Sequence, residues 1–184
     1  MESPATEKEE YTMSFARANL LALVLCLPII ALILIPYFYF HEFSAIQVSF
    51  LRIDWHHFLL LIPAIVLHEL LHGIGWAYFA EGGMKSIKFG FVWKYLTPYC
   101  HCTIPLQVKH YKIGAALPLI ILGVIPSVAA IISGSGVLLF FGIIMSCAAG
   151  GDILGLMMLS RLDNLDWVND HPSKMGFFKL KPDT

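Results

Sequence analysis

Four stretches of this 184-residue chain are apolar over lengths that no strand needs: roughly 18–40, 56–80, 113–134 and 136–160. A bilayer core requires about 20 such residues per helix, so each stretch is long enough to cross a membrane once. Only helices and closed barrels satisfy their backbone hydrogen bonds in lipid. The chain as a whole agrees, being 58% hydrophobic and 14% charged, where a soluble domain has about a quarter of its residues charged. The expected fold is an all-α membrane protein with four transmembrane helices. The first, "ANLLALVLCLPIIALILIPYFYF", is longer than a signal-peptide core and is expected to remain as an anchor. Pro28 and Pro36 inside it are tolerated better in lipid than in water.

The basic residues orient these helices. Of the 12 lysines and arginines, Lys8 and Arg17 precede the first apolar stretch and only Arg52 follows it directly. Lys85, Lys88, Lys94, Lys109 and Lys112 lie between the second and third, and Arg161, Lys174, Lys179 and Lys181 follow the fourth. The positive-inside rule therefore puts both termini and segment 81–112 in the cytoplasm, with 41–55 and the "SGSG" loop outside. The domain plan is a cytosolic tail at 1–17, one membrane domain at 18–160 and a cytosolic tail at 161–184. The expected location is a bacterial cell membrane. A net charge of -1 offers no field for nucleic acid, so the expected partners are the lipid bilayer and a membrane protein or peptide substrate.

Segment 81–112 carries its own pattern. In "SIKFGFVWKY" the apolar residues Ile87, Phe89, Phe91, Trp93 and Tyr95 alternate with more polar ones, the period of a half-buried strand. "LTPY" reads as a turn, and Cys100, Cys102, Ile104 and Leu106 resume the alternation. A membrane-surface β-hairpin at about 84–106, between helices two and three, is expected, either as an amphipathic flap or as an edge that pairs with an extended peptide. The four cysteines make no disulfide framework, since Cys26 and Cys147 lie in apolar stretches and Cys100 and Cys102 in the expected cytosol. Alternation sends His101 away from both neighbouring cysteines, which argues against a joint metal site. The tail "RLDNLDWVNDHPSKMGFFKLKPDT" reads as a solvated segment able to fold against the hairpin, with a metal-binding tail through Asp163, Asp166, Asp170 and His171 as the alternative.

Charge inside lipid needs a reason, because an ionisable group at mid-membrane costs on the order of 2.5–3.5 kcal/mol on insertion scales. In "IPAIVLHELLHGIGWAYFA" the sequence "HELLH" sets His68 and His72 four residues apart, on one helix face, where two imidazoles can bind one Zn²⁺. Glu69, turned by about 100°, suits a general base acting on a metal-bound water. A catalytic zinc needs a third protein ligand. The longer motif that would supply a histidine at 78 is absent, as Tyr78 stands there. Glu81 lies about 13 Å further along the helix than His72. Asp152, in "SCAAGGDILGLMM", is the one acidic residue of the last apolar stretch and lies level with His72 if both helices run inward. Gly151 and Gly155, facing Gly73 and Ala77, are expected to let helices two and four approach closely.

A membrane helix with "HELLH", a following hairpin, "ALPLIILGVIPSV" and a glycine-flanked aspartate resembles the site-2 protease group of intramembrane zinc metalloproteases. More closely, from about residue 56 onward and including "NDHPSKMGF", it resembles the DUF3267 zincin peptidases. The resemblance implies His68, His72 and Asp152 as zinc ligands and Glu69 as general base in peptide-bond hydrolysis. The chain departs from the larger group in having "GGDIL" for its "LDG" and no asparagine upstream of it. Two other readings stay open: a non-catalytic membrane adaptor with a structural zinc, and a membrane metal-dependent oxygenase, for which His56 and His57 are a poor second cluster.

Overall fold

The computed structural model describes residues 8–43, 54–93 and 97–181. The apolar stretches form helices, and most of them are interrupted. Helix α1 (Phe15–Phe40) begins where the Ser14 side chain accepts from the Arg17 N–H at 3.3 Å, and it passes through Pro28 and Pro36 without a break. Its leucines at 20, 23, 27 and 32 are exposed along a face left for lipid. The second span, Trp55–Ala77, joins α2 (Trp55–Leu59) to α3 (Leu61–Ala77). Asp54 caps α2 by accepting from the His56 N–H at 3.0 Å. Helix α3 ends near Ala77 rather than at 80, because Gly82 and Gly83 take positive φ and turn the chain into a short 3-10 segment, Gly83–Ser86.

The third span, Val108–Ser133, starts five residues before the expected position and is built of α4 (Val108–Pro118), a π-helical segment (Leu119–Val124) and α5 (Ile125–Ser133). Proline at 118 has no N–H to give to the carbonyl four residues back and crowds it, so the helix is reset there. The expected fourth helix is instead two, α6 (Gly136–Ala148) and α7 (Gly150–Leu159), bent by 48° at Ala149. Among the described residues there are thus three helices long and apolar enough to cross a membrane, or four with the bent pair counted as one span.

The all-α expectation is corrected at the chain ends. β1 (Lys8–Met13), β6 (Met175–Leu180), β5 (Trp167–Asp170) and β4 (Leu106–Gln107) form one antiparallel sheet in that order. The C-terminal tail contributes strands that alternate, Val168, Asp170 and Phe177 being buried while their neighbours are less so, and Val168 and Phe177 pack with Val108 and Leu159; β1 is held by its pairing with β6. The sheet gathers both tails at the same end of the helices as the hairpin, β2 (Ile87–Val92) with β3 (Thr97–Cys102). "LTPY" is not a turn in itself: Thr97, Pro98 and Tyr99 belong to β3, and residues 94–96 lie outside those described. Pro98 sits at the same strand parity as Cys100 and Cys102, whose N–H groups point away from β2, so its missing N–H costs the ladder nothing.

Candidate metal centre

Helix α3 carries His68 and His72 on its buried face, with ring centroids 4.9 Å apart. Across from them the first turn of α7 presents Asp152, a position where the positive helix N-terminus favours a carboxylate. His68 Nε2 is 3.0 Å from Asp152 Oδ2 and His72 Nε2 is 3.1 Å from Asp152 Oδ1. One ligand atom from each residue lies within 4.8 Å of the others, and among the described residues this is the one such group of three. The structure therefore brings together the three residues expected as ligands. It does not bring in Tyr78 or Glu81.

The helix contact behind this geometry differs from the expected one. A Cβ on Gly151 would meet nothing within 4 Å, one on Gly155 only Met175, and one on Gly73 the Phe89 ring, so those glycines do not join helices two and four. The close approach is between α3 and α4, where a Cβ on Gly75 would lie 2.7 Å from the Gly114 Cα and one on Gly114 would lie 2.1 Å from Trp76 Cδ1. The Gly114 carbonyl accepts from His72 Nδ1 at 2.9 Å. It stands four residues before Pro118, so the helix has no N–H for it. Trp76 stacks on His72 at 5.2 Å between centroids and donates its indole N–H to the Tyr111 carbonyl at 3.0 Å.

These contacts fix what His72 offers. A carbonyl only accepts, so Nδ1 carries the proton, and in the neutral ring Nε2 is a lone pair aimed at a carboxylate. Two such groups attract each other only with a cation between them, either a second proton on the ring or a metal ion. Among the described residues His68 Nδ1 is buried and lacks a hydrogen-bond partner, and the buried Asp152 Oδ2 faces nothing but His68 Nε2. Two imidazoles and a carboxylate converging in this way, one imidazole held by a backbone carbonyl through its other nitrogen, fit a metal ion of the zinc type.

The site opens on a cavity of about 720 Å³ that is also lined by Glu69, Tyr111 and Asp170. Glu69, one residue past His68, lines this cavity together with Cys100 of the hairpin. Burial, with the Glu69 and Asp170 carboxylates nearby, raises the Cys100 thiol well above its ordinary pKa, and burial raises Cys102 as well. Both remain thiols rather than thiolate ligands. Cys100 and Cys102 pack with Trp76, Ile87 and Leu106, whereas His101 turns to Asp170, as alternation requires. Asp170 is not part of a solvated tail. The sequence signals for Gly114 and Asp170 were a proline four residues on and a strand-like "WVND", both overshadowed by the HELLH helix.

The comparisons agree with this geometry. No curated protein and no solved structure matches the chain. The family model of DUF3267, described as "Putative zincin peptidase", matches residues 61–164, from the first residue of α3 past the end of α7, and so includes both histidines, Glu69 and Asp152. With more than half of its length matched, from the histidine helix to the aspartate helix, the chain belongs to the DUF3267 zincin peptidase family.

Proposed function

We propose that this protein is an intramembrane zinc metallopeptidase, related in design to the site-2 protease group, that hydrolyses peptide bonds in or near the bilayer. The observation that carries the reading is the aim of His72 Nε2, with its proton fixed on the far nitrogen, at the same carboxylate that His68 faces. His68, His72 and Asp152 would hold the ion, and three protein ligands leave the open position that a catalytic zinc needs. When bound, zinc supplies an acidified water and polarises the scissile carbonyl. Glu69 takes the proton from the attacking water and delivers it to the leaving amine. The buried walls given by Trp76 and Tyr111 exclude bulk water, and the cavity beside Glu69 admits an unwound stretch of chain. An extended stretch is required because a helical substrate keeps its amides hydrogen-bonded.

Membrane domain 18–160 is the catalytic unit of this proposal, and strands β1, β5 and β6 of the tails 1–17 and 161–184 brace the hairpin end, which faces the cytoplasm. The substrate is a transmembrane or membrane-proximal peptide, and the hairpin is the surface that orders it. Glu69→Gln decides between this reading and a structural zinc protein. Glutamine keeps the shape and cannot accept the proton, so zinc content and folding stay at the parental level while hydrolysis falls about 10²–10⁴-fold. Loss of zinc from that variant makes Glu69 a ligand, and an undiminished rate removes it from the mechanism. Asp152→Ala is expected to lose zinc itself. Metal analysis of the purified variants measures both.

A further inference from the structure

A second set of polar side chains meets beside the three ligands. Asp170, at the end of β5, is 8% exposed, and three groups hold its carboxylate. The Tyr111 hydroxyl donates to Oδ1 from α4. The Cys102 backbone N–H donates to Oδ2 at 2.7 Å from β3, and His101 Nδ1 lies 3.2 Å from the same oxygen. A buried carboxylate is costly unless its lone pairs are met, so this residue fixes α4, β3 and β5 to one point. The two partners it holds are the two elements that touch the candidate centre. β3 reaches the Glu69 side of the cavity through Cys100, two residues from Cys102, which lines it together with Glu69. α4 reaches His72 through the Gly114 carbonyl, three residues from Tyr111, and Trp76 through the Tyr111 carbonyl.

We propose that Asp170 is a positioning residue for the hydrolysis, setting β3 against Glu69 and α4 against His72. The proposal rests on the reading of Glu69 as general base. Asp170 touches none of the ligands, so its removal should move the base and the roof of the cavity without emptying the metal site. Placement matters steeply in such centres: a displacement of about 1 Å can cost about a hundredfold in rate. Nothing in the plain role of joining the tail to the helices would separate turnover from binding in this way.

The test uses the full-length zinc-loaded protein and Asp170→Asn, which keeps the shape but turns one acceptor oxygen into a donor that faces either Tyr111 or Cys102. Two readouts are taken. The first needs no substrate: alkylation of the Cys100 thiol by N-ethylmaleimide, followed by mass spectrometry of the hairpin peptide. The second is cleavage of a synthetic peptide of about 20 apolar residues with a Gly-Pro break, in vesicles of phosphatidylethanolamine and phosphatidylglycerol. The proposal expects parental zinc content, a thermal midpoint lowered by no more than the loss of one buried hydrogen bond, alkylation about tenfold faster, and kcat lower by about tenfold or more with KM little changed. Parental alkylation overturns it, and so does faster alkylation with parental kcat. An active parent whose Glu69→Gln variant is dead upholds the peptidase reading whatever Asp170→Asn does. A parent that cuts nothing counts against the peptidase reading and leaves Asp170 to be decided by alkylation. Should Asp170→Asn fail to fold, Tyr111→Phe removes the α4 arm alone. A kcat about tenfold lower at parental zinc content then supports the proposal, and a parental kcat overturns it.

Discussion

One backbone carbonyl determines which nitrogen of His72 faces Asp152. Gly114 offers that carbonyl at 2.9 Å, and the lack of a side chain at the same residue lets the Trp76 indole lie against it. Gly114→Ala should therefore do the reverse of an ordinary glycine-to-alanine change in a helix, which stabilises by about 1 kcal/mol. The new Cβ would stand 2.1 Å from Trp76 Cδ1, and the indole that backs His72 would have to leave. The expected result is zinc affinity lower by about 10–100-fold, the usual cost of losing a group that orients a ligand, measured by competition with a chelator. An affinity equal to the parent's would mean that Trp76 is not needed to hold His72. At this scale the candidate ligands that the structure gathers were legible, and the residues packed behind them were not. His68, Glu69 and His72 announce themselves by spacing, and Asp152 by being acidic where lipid penalises acid. Gly114, Trp76, Tyr111 and Asp170 are ordinary residue types whose roles arise only when α3, α4, β3 and β5 meet.

At the scale of elements, apolar length showed where the chain crosses lipid but not where the crossings break. Hydropathy sums over about 20 residues and cannot register a π-helical segment or a 48° bend, which are set by local backbone hydrogen bonding. Both breaks lie at the candidate centre. The bend at Ala149 makes Asp152 a first-turn residue of α7 instead of a mid-helix one, and the reset at Pro118 frees the carbonyl used by His72. Pro118→Ala tests the second connection. Alanine restores an N–H that competes with His72 Nδ1 for the Gly114 carbonyl, so the third span gains a helical bond while the ligand loses its anchor. Thermal stability should hold or rise, and zinc affinity should fall by about tenfold. Unchanged affinity would show that the carbonyl serves both donors at once. The strands of the tails were missed for a different reason. Short runs such as "MGFFKL" and "KEEYTM" carry no clear alternation in sequence and are weak signals singly, and they become a sheet only because β1 and β6 pair across the length of the chain.

For the whole molecule, two independent arguments bear on which parts share a side of the membrane. The basic residues, all but Arg52, fall in the tails and in segment 81–112, and the sheet order β1-β6-β5-β4 ties both tails to the strand that follows the hairpin. The charge distribution predicts which side is cytoplasmic, whereas the sheet requires only that the tails and hairpin agree. Single cysteines separate the two. In a background with Cys26, Cys100, Cys102 and Cys147 changed to alanine, Met84→Cys reports the hairpin end, Ser173→Cys the turn between β5 and β6, and Ser135→Cys the loop before α6. A membrane-impermeant maleimide applied to intact cells should modify position 135 alone, with 84 and 173 reacting only after lysis. Labelling of 84 and 173 together, with 135 protected, would invert the orientation but leave the fold as it is, and would mean that water and substrate reach Glu69 from outside the cell. Labelling of 84 without 173 would place the hairpin and the β5–β6 turn on opposite sides. It would contradict the contact of Asp170 with Cys102, and with it the ground on which the strand roofing the metal centre is held in place.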